Sequence, residues 1–327
     1  MSVVRKVQRT PGGTFFVCVP KRWAVDHDLR SGSIVAMNET ADGKLLVDPE
    51  YGAAPSPRVA TLKSGPYLSR EIIGKYLLGF DIVRIEPSNR AGFEVRDIVK
   101  GTVDRLIGLE IVEEDSSSIV LQCLLEPSGF PPEKILRRSY AIAAGMHRDV
   151  VNSLVEGNVA LAKSVVARDD EGNRLYFLLV RILRTIVQNP SLSGKLGITS
   201  IECLDYRLVA SLVEAIGDEC VQVAQKTIEL KGKKLGKEMK SLFLDFHSAC
   251  FAAQEKALNA FLMGNVSLAE GVRETQVKID KVFADIEKVA RAQPLDMVPL
   301  VLAVASFLRQ IYAHSVDIAD LVVPKRG

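Results

Sequence analysis

An internal duplication in the second half of the sequence constrains the fold more than any other feature. The segment GNVALA at residues 157–162 matches GNVSLA at residues 264–269, an offset of 107 residues. The same offset pairs Asn173 with Asp280 and Leu179 with Ile286 without a gap. Two copies of one supersecondary unit are therefore expected to lie in tandem.

Each copy has the apolar period of three helices, separated by a Gly-Asn turn and then a proline break. Glycine tolerates the left-handed backbone at a helix end, and asparagine can cap the helix that follows. The predicted helices are 133–155, 159–187 and 201–230 in the first copy, and 235–262, 266–291 and 297–321 in the second. These boundaries predict two tandem antiparallel three-helix bundles, at residues 131–231 and 232–327.

The first fifty residues have the pattern of a small β domain. A β-favouring run at residues 15–19 follows the breaker at residues 11–13, a short helix is predicted at residues 21–27, and two more strands are expected near residues 34–37 and 44–47. A segment of this size buries too little apolar surface to be stable alone. Residues 1–50 are therefore expected to gain stability by oligomerisation.

A linker at residues 51–57, rich in proline and small residues, separates this segment from a mixed subdomain at residues 58–130. In the subdomain we predict a strand at 80–86, an amphipathic helix at 96–107, and strands at 109–113 and 119–125. The fold class is thus multidomain α+β: an N-terminal β domain, a small β-α-β-β subdomain and two helical bundles.

Composition and spacing exclude several classes of protein. Five cysteines without a CxxC pair argue against a disulfide framework or zinc finger. The apolar stretch at residues 297–308 is shorter than the ~20 residues of a membrane helix, and no signal peptide is evident, so a cytoplasmic protein without membrane insertion is expected. The four histidines are expected at the surface or satisfied in the core, and without a nucleotide-binding or catalytic motif the chain is not expected to be an enzyme.

The segment VRKVQRTPGGTFFVCVPKRWAVDHDLRSGSIVAMNETADGKLLVDP resembles the AbrB/SpoVT/MazE-like swapped-hairpin family. The likeness covers the basic start, the glycine break, the β run ending in Val-Pro-Lys, the short helix and the terminal strand. It departs at Ser33, where many members carry aspartate. The resemblance implies an interlocked homodimeric β-barrel that binds double-stranded DNA.

Charge in this segment is polarised, since the first 22 residues hold five basic residues and no acidic one. A cationic face of this kind suits contacts to DNA phosphates. Thr14, after two glycines, could approach a phosphate through its backbone N–H, although a plain hairpin turn explains it equally well. The candidate DNA-binding residues are Arg5, Lys6, Arg9, Thr14, Lys21 and Arg22.

The duplicated helices resemble the PhoU family of phosphate-uptake regulators, most clearly in ARDDEGNRLYFLLVRILR and VEAIGDECVQVAQ. The middle subdomain, with YLLGFDIVRIEP and RLIGLEIVEED, resembles archaeal PhoU-related regulators. The resemblance implies a metal site at Glu-x-x-x-Asp pairs on bundle helices, a pattern that Glu214 and Asp218 match.

A hard cation between Glu214 and Asp218 would draw on Glu202 or Asp170 as neighbouring ligands. Fe, Zn or Mg at the first bundle is the implied cofactor, and a solvated acidic face is the alternative. The pattern is incomplete elsewhere: Asn173 stands where a second aspartate is common, and no Glu-x-x-x-Asp pair occurs around Arg309.

These observations favour a homodimeric DNA-binding transcriptional regulator of phosphate uptake or homeostasis, with the helical bundles as the sensing or partner-binding region. One alternative is an adaptor that binds a phosphate transporter or sensor-kinase complex, with the barrel as dimeriser. A second alternative is a metal-binding bundle protein.

Overall fold

The computed structural model describes residues 3–39, 43–49, 57–86, 92–230 and 233–324. The chain divides into two compact units, Met1–Pro57 and Arg58–Gly327. Most of the predicted linker and the predicted boundary between the bundles, residues 231 and 232, lie outside the described residues.

The N-terminal unit contains two short hairpins and one helix. Strands β1 (Gln8–Arg9) and β2 (Phe15–Phe16) pair antiparallel, and so do β3 (Ala36–Glu39) and β4 (Leu45–Asp48). Helix α1 (Lys21–Asp26) lies between the hairpins in sequence. The first hairpin turns at Gly13, whose φ of 93° favours glycine and whose N–H donates to the Thr10 carbonyl.

This unit has an unusual distribution of apolar side chains. None of the side chains whose burial is described in this unit is buried, and large apolar ones such as Val7, Phe15 and Ile34 are at least two-thirds exposed. The described strands form two separate hairpins, not a closed barrel, because one chain offers too few paired strands and no enclosed core. The swapped-hairpin barrel therefore remains a prediction about two chains.

The second unit begins with a four-stranded sheet of order β5-β6-β8-β7. Its elements are β5 (Val59–Lys63), α2 (Leu68–Leu77), β6 (Ile82–Glu86), α3 (Phe93–Val103), β7 (Leu109–Glu114) and β8 (Ile119–Cys123). Strands β5 and β6 are parallel, while β8 pairs antiparallel with both β6 and β7. Tyr76, on α2, is fully buried and its hydroxyl donates to the Ile107 carbonyl at 2.9 Å.

The β-α-β-β prediction was incomplete, since β5 and α2 precede the elements that it named. Strand β5 is short and follows two prolines, but it alternates regularly, with Ala60 and Leu62 buried between exposed residues. Parallel pairing with β6 requires a crossover connection, which α2 supplies.

Among the described residues, eight helices follow a short 3₁₀ turn at Pro127–Gly129 in the second unit. The first repeat contains α4 (Pro132–Glu156), α5 (Val159–Gln188), α6 (Pro190–Leu196) and α7 (Ser200–Glu229). The second contains α8 (Lys237–Met263), α9 (Val266–Arg273), α10 (Gln276–Ala290) and α11 (Val298–Asp320). Within the described residues, no helix is long and apolar enough to cross a membrane.

The Gly-Asn turns behave as predicted in both repeats. Gly157 and Gly264 adopt left-handed backbone, with φ of 73° and 64°. The Asn158 side chain accepts from the Leu161 N–H at 3.0 Å, and Asn265 does the same for Leu268 at 3.1 Å. The two helix starts are thus capped in the same way.

Two helical features were not predicted. Helix α6 is an extra short helix in the first repeat, capped by Asn189 and ended by Gly197. The predicted helix 266–291 is instead broken between α9 and α10. Lys256 Nζ donates to the Gly271 carbonyl at 3.1 Å and the Tyr312 hydroxyl to the Val272 carbonyl at 3.0 Å, so side chains from α8 and α11 engage carbonyls near the break.

The two repeats share one hydrophobic core, so they are not separate bundles. Helix α4 packs against α8, and α7 packs against α11. At the α4 and α8 contact, His147 Nδ1 lies 2.9 Å from Gln254 Oε1, and these two residues occupy equivalent positions 107 apart. Both side chains are fully buried.

The expectation that every histidine is exposed or satisfied was wrong for this contact. The His147 ring stands edge to face with His247, with centroids 4.6 Å apart. Neither His147 Nε2 nor His247 Nδ1 has a hydrogen-bond partner among the described residues. Burial lowers the pKa of His147 to about 3, with the His247 ring as a second cause.

One buried arginine joins the mixed subdomain to the first repeat. The side chain of Arg181, on α5, is only 3% exposed and lies 3.6 Å from an Asp81 carboxylate oxygen. Its Nη1 donates to the Tyr76 carbonyl at 2.7 Å and to the Phe80 carbonyl at 2.9 Å. The guanidinium also lies 4.9 Å from the centre of the Tyr76 ring. The carbonyls at the end of α2 therefore depend on a side chain from the bundle.

Replacing Arg181 by methionine is expected to lower the free energy of unfolding by about 3 kcal/mol, because two carbonyls lose their charged donor. Urea unfolding of the full chain measures this loss. Arg184→Met is the matched control, since Arg184 is exposed one turn further along α5, and its expected cost is within about 0.5 kcal/mol. Equal losses in the two variants would contradict a joining role for Arg181.

Candidate functional site

Acidic residues collect in the first repeat where α4, α5 and α7 meet. Asp169 and Asn173 lie one turn apart on α5, and Glu214 and Asp218 lie one turn apart on α7, so each pair shares a helix face. Asp169, Asn173 and Glu214 line a cavity of about 10 Å³, with Ser139 of α4. A volume of this size is close to what one water molecule needs.

Contacts place α5 and α7 close together at this cavity. The Asn173 amide donates to Asp169 Oδ2 at 2.9 Å. Asp169 Oδ1 lies 3.6 Å from the position that a Cβ on Gly217 would occupy. The carboxyl group of Asp169 therefore faces the helix that carries Glu214 and Asp218.

Burial favours the protonated form of each of these acidic groups, and neighbouring carboxylates add to the effect at Glu214 and Asp169. Burial, followed by the charges of Asp218 and Asp169, raises the pKa of Glu214 to about 7, against a smaller opposing effect of Arg207. Burial and Asp218 also raise the pKa of Asp169, and burial raises that of Asp218. Carboxyl groups in such a state gain from a bound cation, which would favour their charged form.

The structure brings together only part of the predicted set. Glu214 and Asp218 lie together as predicted, but their acidic neighbour is Asp169 and not Asp170 or Glu202. Glu202 accepts from the Thr199 N–H at 2.8 Å and caps the start of α7. The side chain of Asp170 faces another pocket, of about 240 Å³, with Asp104, Arg105 and Arg174.

Asp169 could have been found from the helical period. It lies four residues before Asn173, the position where the sequence comparison expected an acidic partner, whereas Asp170 lies three residues before it. In the described parts of the chain, no three histidine, cysteine or acidic side chains are placed to hold one metal ion. The donors suit a hard cation that keeps several water ligands, as Mg²⁺ does when one or two carboxylates bind it.

The candidate DNA-binding residues of the N-terminal unit are all exposed: Arg5, Lys6, Arg9, Thr14, Lys21 and Arg22. The Arg9 guanidinium lies 5.5 Å from the centre of the Phe15 ring. Arg22 approaches Asp26 at 3.6 Å, an exposed pair that binds weakly. The Thr14 N–H donates to the Thr10 hydroxyl at 3.1 Å, so the turn itself already uses this group.

Glu214→Gln is expected to stabilise the chain more at pH 8 than at pH 5 when EDTA removes divalent cations. The folded pKa of about 7 exceeds the ordinary value of 4.5, so the proton that the folded state retains is lost as pH rises through 7, and stability falls with it. Thermal unfolding should show a midpoint higher by about 2–4 °C at pH 8. Glu238→Gln, at the exposed start of α8, is the control, and an equal rise there would refute the explanation.

The family model described as PhoU domain matches residues 136–227 and 245–322, more than half of the chain. No curated protein matches the chain.

Two solved structures are similar to part of the chain. A crystal structure of PhoU from Pseudomonas aeruginosa is 21% identical, with a TM-score of 0.52, and the match covers 58% of this chain and 93% of that one. The structure of the phosphate transport system regulatory protein PhoU from Streptococcus pneumoniae is 16% identical, with a TM-score of 0.47 and coverage of 58% and 91%. The family model matches both repeats, and the chain belongs to the PhoU family.

Proposed function

We propose that this protein is a regulator of phosphate transport that acts as an adaptor, binding a phosphate transporter or its sensor kinase through the helical repeats. The observation that carries the proposal is the match of both repeats to the PhoU domain. The helical fold similar to the Pseudomonas aeruginosa protein supports it. A regulator of this kind needs no catalytic residues, only a surface that partners recognise.

The site between α5 and α7 could bind the cation to which such a regulator responds. Asp169, Glu214 and Asp218 are raised in pKa chiefly by burial, and a divalent cation such as Mg²⁺, Zn²⁺ or Fe²⁺ would relieve their repulsion. A bound cation would tie α5 to α7 in the first repeat. It can influence a partner only if it binds the free and partner-bound arrangements of these helices unequally.

The adaptor proposal predicts direct binding of the full chain to the cytoplasmic subunits of a phosphate transporter or to a phosphate-responsive sensor kinase from the same genome. Titration of purified components at low and high phosphate measures this affinity, which should differ between the two conditions. A variant with Arg5→Ala and Arg9→Ala should bind these partners like the native chain, because the basic residues lie in the other unit. Absence of binding at every phosphate concentration would refute the adaptor proposal.

A second candidate function is transcriptional regulation by DNA binding, which the sequence favours. It becomes second because the family match lies in the helical region and does not include the N-terminal unit. One observation favours it: large apolar side chains of this unit, among them Val7, Phe15 and Ile34, are exposed. A second copy of the unit, interlocked as in the swapped-hairpin family, would bury these side chains and double the exposed basic residues.

Arg5→Ala and Arg9→Ala are each expected to weaken DNA binding several-fold and to flatten its dependence on salt, because each removes a phosphate contact. A salt series with fragments from upstream of phosphate-transport genes measures both effects. Lys163→Ala removes one exposed charge from α5 and should change neither. If the native chain binds no fragment selectively, the N-terminal unit is a dimeriser alone.

A further inference from the structure

Helices α7 and α11 occupy equivalent places in the two repeats, at an offset of 95 residues. This offset pairs eight buried positions of α7 with eight buried positions of α11. The pairs are Val209 with Val304, Ala210 with Ala305, Val213 with Leu308, Ile216 with Ile311, Gly217 with Tyr312, Cys220 with Ser315, Val223 with Ile318 and Ala224 with Ala319. The offset is shorter than 107 because the first repeat contains the additional helix α6.

This correspondence sets Arg309 at the position of Glu214. The offset of 107, which holds for the helices before, sets Asp280 at the position of Asn173. In the first repeat Asn173 and Glu214 line one cavity. In the second repeat Arg309 Nη2 binds Asp280 Oδ1 at 2.8 Å. The two offsets therefore agree: the residues that they match, Arg309 with Glu214 and Asp280 with Asn173, are neighbours in both repeats.

The aromatic neighbours also correspond. The Arg309 guanidinium lies 4.9 Å from the centre of the Phe283 ring. The equivalent aromatic residue in the first repeat is Tyr176, which holds the guanidinium of Arg207 at 4.8 Å. Each repeat therefore has a guanidinium against its aromatic ring. In the first repeat this guanidinium belongs to Arg207, two turns before Glu214 on α7. In the second repeat it belongs to Arg309, at the position that corresponds to Glu214 itself.

The net charge at the two places differs, being acidic in the first repeat and balanced in the second. The first repeat has carboxyl groups at Asp169, Glu214 and Asp218, and among the described residues none of them has an ion-pair partner at 4.0 Å or less. At the corresponding positions the second repeat has Gln276, Arg309 and Ala313, which leaves Asp280 neutralised by the guanidinium. Among the described residues, the second repeat has a guanidinium in ion-pair contact with its carboxylate, whereas Arg207, which lowers the pKa of Glu214, forms no ion pair with it at 4.0 Å or less.

We propose that Arg309 supplies from within the chain the positive charge that the first repeat takes from a bound divalent cation, so that cation binding is confined to the first repeat. The inference rests on the proposed cation site at Glu214 and Asp218. It makes the two repeats unequal in function: the first responds to a cation in solution, and the second holds the corresponding arrangement of helices permanently.

The test converts each repeat into the other and counts bound Mn²⁺, a spectroscopic substitute for Mg²⁺, by equilibrium dialysis of the full chain. Arg309→Glu with Ala313→Asp gives the second repeat the acidic pair of the first, and should bind one more Mn²⁺ per chain than the native protein. Arg309→Gln with Ala313→Asn changes the same positions without charge and should show no gain. Arg138→Glu, which faces Glu171 on the exposed surface, controls for weak binding by any two facing carboxylates.

The reciprocal variant, Asn173→Asp with Glu214→Arg, installs the salt bridge in the first repeat and should bind one Mn²⁺ fewer than the native protein. If the variant with Arg309→Glu and Ala313→Asp does not fold, this reciprocal variant tests the proposal in its place. No gain in a folded Arg309→Glu, Ala313→Asp variant, or an equal gain in Arg138→Glu, would overturn the inference. If the native chain binds no Mn²⁺, and Glu214→Ala with Asp218→Ala changes nothing, the first-repeat site itself is refuted, whereas a gain at Arg309 would still support the second position as cation-accepting.

Discussion

Packing of α4 against α8 is the constraint on which the helical region depends. His147 and Gln254 occupy the same position in the two repeats and meet there at 2.9 Å, fully buried. A buried polar group that loses its partner costs about 1–3 kcal/mol. Neither repeat can therefore slide along or separate from the other without exposing a donor or acceptor to an apolar core. This contact and the packing of α7 against α11 join the two repeats around one shared core.

On α7 and α11 the buried positions differ in size or polarity, as at Gly217 and Tyr312, whereas the difference in charge lies outside the core. The buried faces of α7 and α11 correspond residue by residue, while the half-exposed Glu214 and Arg309 have opposite charges. A charged side chain outside the core can be replaced by one of opposite charge without leaving a cavity or overpacking its neighbours. A buried side chain cannot be replaced by a larger or smaller one without one of these costs. The fold thus allows two unequal sites on two equivalent frameworks.

Periodic and capped elements were predictable from the sequence, and elements that depend on distant contacts were not. The Gly-Asn starts of α5 and α9 follow from local chemistry. Strand β5 is only five residues long and becomes a strand by pairing with β6, more than twenty residues away. At the break between α9 and α10, the side chains of Lys256 on α8 and Tyr312 on α11 donate to carbonyls near the end of α9. Asp169 was missed because it is adjacent in sequence to Asp170, and only the rotation of α5 about its axis decides which of the two carboxylates faces α7.

The sequence by itself determined the duplication, most helices of each repeat, the basic N-terminal segment and the acidic pair Glu214 and Asp218. Each of these features depends on residues that are close in sequence or on a regular spacing of apolar residues. Tertiary structure decided that the repeats share a core, that Arg181 joins the mixed subdomain to α5, and that Arg309 stands where Glu214 stands. These facts depend on contacts between residues far apart in the chain, which no local pattern encodes.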